Sequence, residues 1–133
     1  MSQATDYLED QIRAHIFRTG SFTKPASLDV ALYTATPGET GGGTEVTGGS
    51  YARVARNPLD ANWTAASGTN GLTDNAAAIT FPAPTANWGV VTSYGIFAST
   101  NLLVYGSLGS SKTVNNGDAA PSFPIGALSI TIA

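Results

Sequence analysis

The segment Gly106–Thr113, GSLGSSKT, differs by one residue from a phosphate-binding P-loop. The motif requires glycine where this chain has Ser111, and it requires a following helix whose first amides hold the phosphate. The next residues, VNNGDAAPSF, form a turn sequence that cannot begin a helix. We therefore predict a hairpin turn with Lys112 in solvent rather than a nucleotide site.

The only histidine, His15, is a candidate general base, but a catalytic triad also needs a nucleophile and an orienting acid. Asp60, Asp74 and Asp118 stand in turn sequences, where aspartate side chains cap the backbone, and no EF-hand spacing occurs. We therefore predict turn caps, a helix-surface or interface histidine, and a chain that is not an enzyme. No catalytic residue, metal ligand or cofactor is predicted.

Four large aromatic residues allow two interpretations. Trp63, Trp88, Tyr94 and Tyr105 could form a stacking platform for a sugar, or they could pack in the core or an interface. Large aromatic side chains dominate the packing of both cores and interfaces. The packing interpretation is therefore favoured.

Composition excludes several classes of protein. The chain has 133 residues, no cysteine and a formal net charge of −3, with scattered basic residues. Disulfides and cysteine-based zinc sites are impossible, and the basic stripe of a nucleic-acid binder is missing. No apolar run is long enough to span a membrane, and the N-terminus does not resemble a secretory signal. We expect a single domain over 1–133, with a helix and linker in 1–24 and a β-sandwich in 25–133.

Charge is unevenly distributed along the chain. Charged residues make up 11% of the sequence, and from Ala61 onward only Asp74, Lys112 and Asp118 are charged. Soluble domains average about 25% charged residues. Because interface cores are depleted of charge, the second half has either a neutral polar surface or a large assembly interface.

Periodicity predicts one helix followed by strands. In Thr5–Thr19, apolar residues recur at Leu8, Ile12 and Ile16, with Thr5 or Asp6 as N-cap and Gly20 as the stop. Alternation then predicts short strands separated by turn sequences, typical of an antiparallel β-sandwich of jelly-roll type. The predicted strands are Leu28–Thr34, Tyr51–Arg56, Ala77–Phe81, Val90–Phe97, Leu102–Leu108, Ala119–Phe123 and Leu128–Ile132.

A glycine-rich loop, Gly38–Gly49, connects the first two of these strands. In the strand before it, Leu28, Val30 and Leu32 fall on one face and the alternate residues, including Tyr33, fall on the other. Glycine permits the positive-φ conformations that a moulded loop requires. We predict that this loop contacts a protein surface.

Five motifs together resemble a family of small tailed-bacteriophage virion proteins. They are a V-A-L-Y-T-A-x-P strand end, a G-G-x-Y-A-R loop end, an A-I-T-F-P strand, a W-G-x-V-T-x-x-G-I-F strand and a G-x-L-x-I strand. In this chain they occupy Val30–Pro37, Gly48–Arg53, Ala78–Pro82, Trp88–Phe97 and Gly126–Ile130. The resemblance extends from about Asp6 to Ile132 and implies no catalytic residues.

The resemblance implies one of two structural roles. Some such proteins look like capsid cement or decoration proteins, β-sandwich subunits that bind outside an HK97-type shell as homo-oligomers, either dimers or trimers. The alternative is a tail or tail-fibre structural component, with or without binding to a host glycan or receptor. We favour cement on the outer capsid surface, because the chain lacks the long repeats or coiled-coil stalk of a dedicated fibre. No nucleic acid or membrane partner is expected.

Two sets of residues are the predicted contacts. The loop and its flanks would meet the major capsid protein, and the N-terminal helix would pair subunits if its apolar stripe is not wholly buried. The first set is Glu39, Glu45, Tyr51 and Arg53; the second is Tyr7, Ile12, His15 and Phe17.

Overall fold

The computed structural model describes residues 2–66 and 71–132. In this part of the chain the fold is mainly β, with antiparallel pairing and one short helix, α1 (Asp6–Phe17). The strands are β1 (Ser2–Ala4), β2 (Asp29–Ala35), β3 (Thr44–Glu45), β4 (Val54–Ala55), β5 (Thr73–Asp74), β6 (Ile79–Thr80), β7 (Gly89–Ala98), β8 (Asn101–Val114), β9 (Ser122–Phe123) and β10 (Ser129–Ile130).

Most strands belong to one six-stranded sheet. Its order is β1-β8-β7-β2-β3, and β4 also pairs with β2. Two small ladders, β10 with β5 and β6 with β9, lie outside this sheet. The predicted fold class, mainly β and antiparallel with an N-terminal helix, is confirmed at this level.

The central sheet buries side chains on both faces. Alternation in β2 places Val30 and Leu32 in the main core, while Ala31 and Tyr33 join a second cluster. The predicted division of this strand into two faces is therefore correct. The second cluster consists of Ala31, Tyr33, Phe97, Leu102 and Tyr105.

Helix α1 begins as predicted but ends differently. The Thr5 hydroxyl accepts a hydrogen bond from the Leu8 amide at 3.3 Å, which makes Thr5 the N-cap. The predicted stop at Gly20 is wrong, because the chain already leaves the helix in an extended conformation at Arg18. Gly20 has a different constraint: an added Cβ would lie 2.8 Å from the Ala14 Cβ.

Only the first half of the helical stripe is covered by the sheet. Leu8 is buried and Ile12 is partly buried against the main core, whereas Ile16 is 63% exposed. The apolar stripe of α1 is therefore not wholly buried, which is the condition set for subunit pairing through this helix. The end of α1 presents apolar side chains to solvent instead.

The segment that resembles a P-loop is part of a strand. Residues 106–113 lie within β8, where Gly106 pairs with Tyr94 and Lys112 pairs with Val91. The predicted hairpin turn is wrong, although Lys112 is exposed as expected. Backbone pairing with β7 extends β8 beyond Leu108, although the side chains of β8 in that part are mostly exposed and polar.

Several predicted strands are shorter in the structure. Tyr51–Arg56 contributes only Val54–Ala55, and Leu128–Ile132 contributes only Ser129–Ile130. The large aromatic residues follow the packing interpretation: Trp88, Tyr94 and Tyr105 are buried, and Trp63 packs against the core. Within residues 2–66 and 71–132, no helix has the length and apolar character needed to cross a membrane.

Candidate functional site

An ion pair joins the glycine-rich loop to the segment that follows it. Glu45, on β3, faces Arg53, just before β4. Arg53 donates from Nη2 to Glu45 Oε1 at 2.7 Å and from Nε to Oε2 at 2.9 Å. This two-point geometry fixes the relative position of both groups, since the planar guanidinium matches the carboxylate.

Tyr51 fixes the same carboxylate from the core side. Its hydroxyl donates to Glu45 Oε2 at 2.8 Å and accepts from the Leu32 amide at 3.0 Å. Burial raises the pKa of Tyr51 far above its ordinary value, so the phenol stays protonated and can donate. The Tyr51 ring meets Trp88 edge-on, with centroids 5.4 Å apart, and therefore ties the ion pair to the main core.

Arg53 also covers part of the second cluster. Its guanidinium carbon lies 3.7 Å from the centroid of the Phe97 ring, in cation–π contact. The hydrogen bond to Glu45 raises the pKa of Arg53 further. The guanidinium is therefore held between a carboxylate and an aromatic face.

Protonation of Glu45 in acid should destabilise the fold. Burial alone would raise the pKa of Glu45, but the hydrogen bonds from Arg53 and Tyr51 and the charge of Arg53 outweigh it and lower this pKa below 4.5. When folding lowers the pKa of a carboxyl group, the ionised group stabilises the fold at pH values above its unfolded-state pKa. This stabilisation is lost as the pH falls through the folded-state pKa. We therefore expect the free energy of unfolding of the natural chain to decrease as the pH is lowered from about 4.5.

Glu45→Gln tests this expectation. The variant should be less stable at pH 7 and should lose less stability than the natural chain on acidification, as measured by urea unfolding across pH. Glu9→Gln, in an exposed helix pair with Arg13, is the matched control and should change neither quantity appreciably. Identical acid profiles for the natural chain and Glu45→Gln would contradict the assignment.

The backbone of the loop is closely folded and anchored. Gly38 and Gly41 exchange two hydrogen bonds, at 2.9 and 3.0 Å between N and O. Gly43 has φ +72°, and an added Cβ would lie 2.6 Å from the Ala35 carbonyl oxygen, so this position requires glycine. The Asp6 amide donates to the Glu39 carbonyl at 3.0 Å, which joins the loop to the start of α1.

A groove lies between this loop, the first turn of α1 and the β7–β8 turn. Its volume is about 470 Å³. Four of the predicted contact residues line it: Tyr7, Glu39, Glu45 and Arg53. We call this the loop groove.

The other predicted contacts do not line the loop groove. Tyr51 lies behind it in the core, and Ile12 packs against the core from α1. His15 is exposed, and its Nδ1 accepts a hydrogen bond from the Phe22 amide at 3.2 Å. Phe17 is 80% exposed at the end of the helix.

Sequence reasoning missed several residues that line the loop groove, among them Tyr33, Phe97 and Asn101. They come from β2, from β7 and from the start of β8. Tyr33 carried a usable signal, because alternation puts it on the face opposite Leu32 and its polar tip must reach an edge or a partner. Phe97 and Asn101 had no comparable signal.

The three aspartates that were predicted to cap turns do not line the loop groove; they are Asp60, Asp74 and Asp118. Asp118 caps a turn as predicted, accepting from the Asn115 amide at 2.8 Å. Asp74 was predicted as a turn cap, but it lies in β5 and accepts from the Ser129 hydroxyl. No cluster of three or more potential metal-ligating side chains occurs among the residues that the structure describes.

Comparison with known families gives an assignment. The family model described as podophage GP4 fiber I protein gp80 matches residues 3–131. The chain belongs to this family. Membership in the GP4 fiber I family confirms the prediction of a phage virion protein with a structural role. The matched range includes α1, the glycine-rich loop and the loop groove. No curated protein matches the chain.

Proposed function

We propose that this chain is a non-enzymatic structural subunit of a phage tail fibre. The observation that carries the proposal is the family match over residues 3–131, since the family is described as a fibre protein. The geometry is consistent with a structural role, because the side chains of Glu45, Tyr51 and Arg53 are hydrogen-bonded to one another. His15 is engaged by a backbone amide, and no carboxylate is hydrogen-bonded to it among the described residues.

The family description supports the tail-fibre alternative better than capsid cement. Binding to an HK97-type major capsid protein on the outer shell stays a prediction with less support. The finer jelly-roll sandwich also stays a prediction. Its support is that the main core takes side chains from the central sheet and from the β6–β9 ladder, including Ile79 and Phe123.

Self-association of the chain, as a dimer or trimer, is part of the proposal. Its support is the apolar surface at the end of α1, where Ile16 and Phe17 are both strongly exposed. Exposed apolar side chains that lie side by side are typical of surfaces that become covered in an assembly. The low charge of the chain after Ala61 is consistent with such covering.

Copy number in the virion tests the fibre proposal. Purified virions are digested, and peptides of this chain are quantified against peptides of the major capsid protein in the same sample. A fibre subunit should be present at a small fraction of the capsid protein. A copy number comparable to that of the capsid protein would contradict the fibre proposal and support cement.

A further inference from the structure

The loop groove carries negative charge that its own residues do not neutralise. Arg53 is the one cationic side chain among the described lining residues, and it is paired with Glu45. The carboxylates of Asp6 and Glu39 also line the groove, and neither forms an ion pair in the part of the chain that the structure describes. The dipole of α1 offsets only about half a charge at this end of the helix. The loop groove therefore attracts a cationic group.

A buried tyrosine offers the loop groove a free hydrogen-bond acceptor. Tyr33 is only 4% exposed and lines the groove. Burial raises the pKa of Tyr33, and its hydroxyl forms no hydrogen bond with the described residues. Because buried polar groups are nearly always hydrogen-bonded, this oxygen is available to a donor that enters the groove. A guanidinium group supplies both a positive charge and hydrogen-bond donors.

The far end of α1 presents such a group together with apolar side chains. Ile16 is 63% exposed, Phe17 is 80% exposed and Arg18 is exposed. We call these three residues the helix tip. The Arg18 amide donates to the Ala14 carbonyl oxygen at 3.1 Å, which anchors the backbone, while its side chain forms no ion pair within residues 2–66 and 71–132. The helix tip therefore combines a free cation with two uncovered apolar side chains.

The other basic side chains do not combine these features. Arg13 and Arg53 are held in ion pairs, and Arg56 donates to backbone carbonyl oxygens. Lys24 and Lys112 are exposed, but neither adjoins a pair of strongly exposed apolar residues in the sequence. Arg18 is therefore the cation of this chain that best matches the loop groove.

The apolar part of the helix tip also matches the loop groove. Tyr7 is 39% exposed and lines the groove, where its ring can pack against the Phe17 ring of a neighbouring molecule. The volume of about 470 Å³ lies within the range of sites that accept whole small molecules, about 300–1,000 Å³, so two side chains of a neighbour fit. The two surfaces are thus complementary in charge and in apolar character.

We propose that the helix tip of one copy of this chain docks in the loop groove of a second copy. Arg18 lies against the two unpaired carboxylates and donates to the Tyr33 hydroxyl, and Phe17 packs on Tyr7. The inference rests on the self-association in the proposed function and identifies the two surfaces that meet. Because the helix tip and the loop groove lie at opposite ends of α1, each copy in a closed dimer or ring can use both.

The test is sedimentation velocity over a series of protein concentrations, with variants that reverse the charges of the two surfaces. Glu39→Lys alters the loop groove and Arg18→Glu alters the helix tip, at two exposed positions. Each substitution alone places like charges together and should raise the Kd of self-association roughly tenfold. The double variant Glu39→Lys with Arg18→Glu should return to within about threefold of the natural chain, because opposite charges meet again.

Two further variants separate this contact from a general effect of charge. Glu39→Lys with Lys112→Glu has the same net charge as the restored variant, but Arg18 still faces the altered groove. This variant should therefore self-associate as weakly as Glu39→Lys alone. Phe17→Ala removes the ring that packs on Tyr7 and should raise the Kd by about tenfold.

Different results would overturn different parts of the account. A natural chain that stays monomeric at every concentration would contradict both the docking of helix tip in loop groove and self-association itself. Self-association that is unchanged in Glu39→Lys and Arg18→Glu, or restored equally well by Lys112→Glu, would contradict only the docking. The fibre proposal is independent of these results, because it is tested by the copy number in the virion.

Discussion

Phe81→Ala should lower the free energy of unfolding by about 4 kcal/mol, as expected for removing a fully buried aromatic ring. Phe81 is 2% exposed and belongs to the main core. Its ring lies parallel to that of Tyr51 and edge-on to that of Phe123, with centroids 6.3 Å away in each case. The substitution therefore leaves a cavity between the ladder β6–β9 and the tyrosine that positions Glu45.

Phe17→Ala is the matched control for this substitution. The same atoms are removed from a ring that is 80% exposed, so the free energy of unfolding of the monomeric chain, measured at high dilution, should change by less than about 0.5 kcal/mol. Urea unfolding followed by tryptophan fluorescence measures both variants, and an unchanged slope shows that stability alone has changed. Similar losses in the two variants would mean that the core is not where the structure places it.

Asn75→Ala should lower the free energy of unfolding by about 3 kcal/mol, because several buried backbone groups lose their partner. Asn75 is 1% exposed. Its Nδ2 donates to the carbonyl oxygens of Ala77 at 3.0 Å and Pro124 at 2.9 Å, and its Oδ1 accepts from the Leu128 amide at 2.9 Å. One side chain therefore holds the turn before β10 against the segment that follows β5.

Two further variants sharpen this test. Asn116→Ala removes an exposed asparagine side chain for which the described residues show no hydrogen bond, and it should be nearly neutral. Asn75→Asp preserves the size but turns a carboxylate oxygen toward two carbonyl oxygens, so it should be at least as destabilising as Asn75→Ala. Tolerance of Asn75→Asp at neutral pH would contradict the hydrogen-bond assignment.

The long strands β2 and β7 were predictable from the sequence, whereas the two-residue strands β3 and β5 were not. β2 and β7 carry the alternation of a sheet with buried faces, and their boundaries follow the sequence pattern within a residue or two. β3 and β5 have two residues each, and their pairing depends on distant partners rather than on local pattern. The end of β8 was missed because its exposed, polar side chains show no apolar alternation while its backbone pairs with β7.

The candidate site was predicted in part. Glu45, Tyr51 and Arg53 were chosen because they flank the glycine-rich loop, and the structure brings them into one hydrogen-bonded cluster. Local sequence could not reveal that the loop also meets the start of α1 and the β7–β8 turn. That juxtaposition depends on the neighbouring positions of β8, β7 and β2 in the sheet, which brings Tyr33 and Asn101 to one groove.

The preference for capsid cement rested on the absence of repeats and of a coiled-coil stalk. Those features describe the shaft of a long fibre and do not bear on a compact subunit that is one part of a fibre. The motifs that carried the resemblance, such as Trp88–Phe97, form the core of the fold. Core motifs therefore identified the family and left the position in the virion to other observations.

The most direct test of the fibre proposal is the position of this chain on intact virions. Gold-labelled antibodies raised against the purified chain are bound to virions and imaged by electron microscopy, with a capsid-specific antibody as the reference. The fibre proposal predicts gold at the tail alone. Gold distributed over the capsid surface would contradict it.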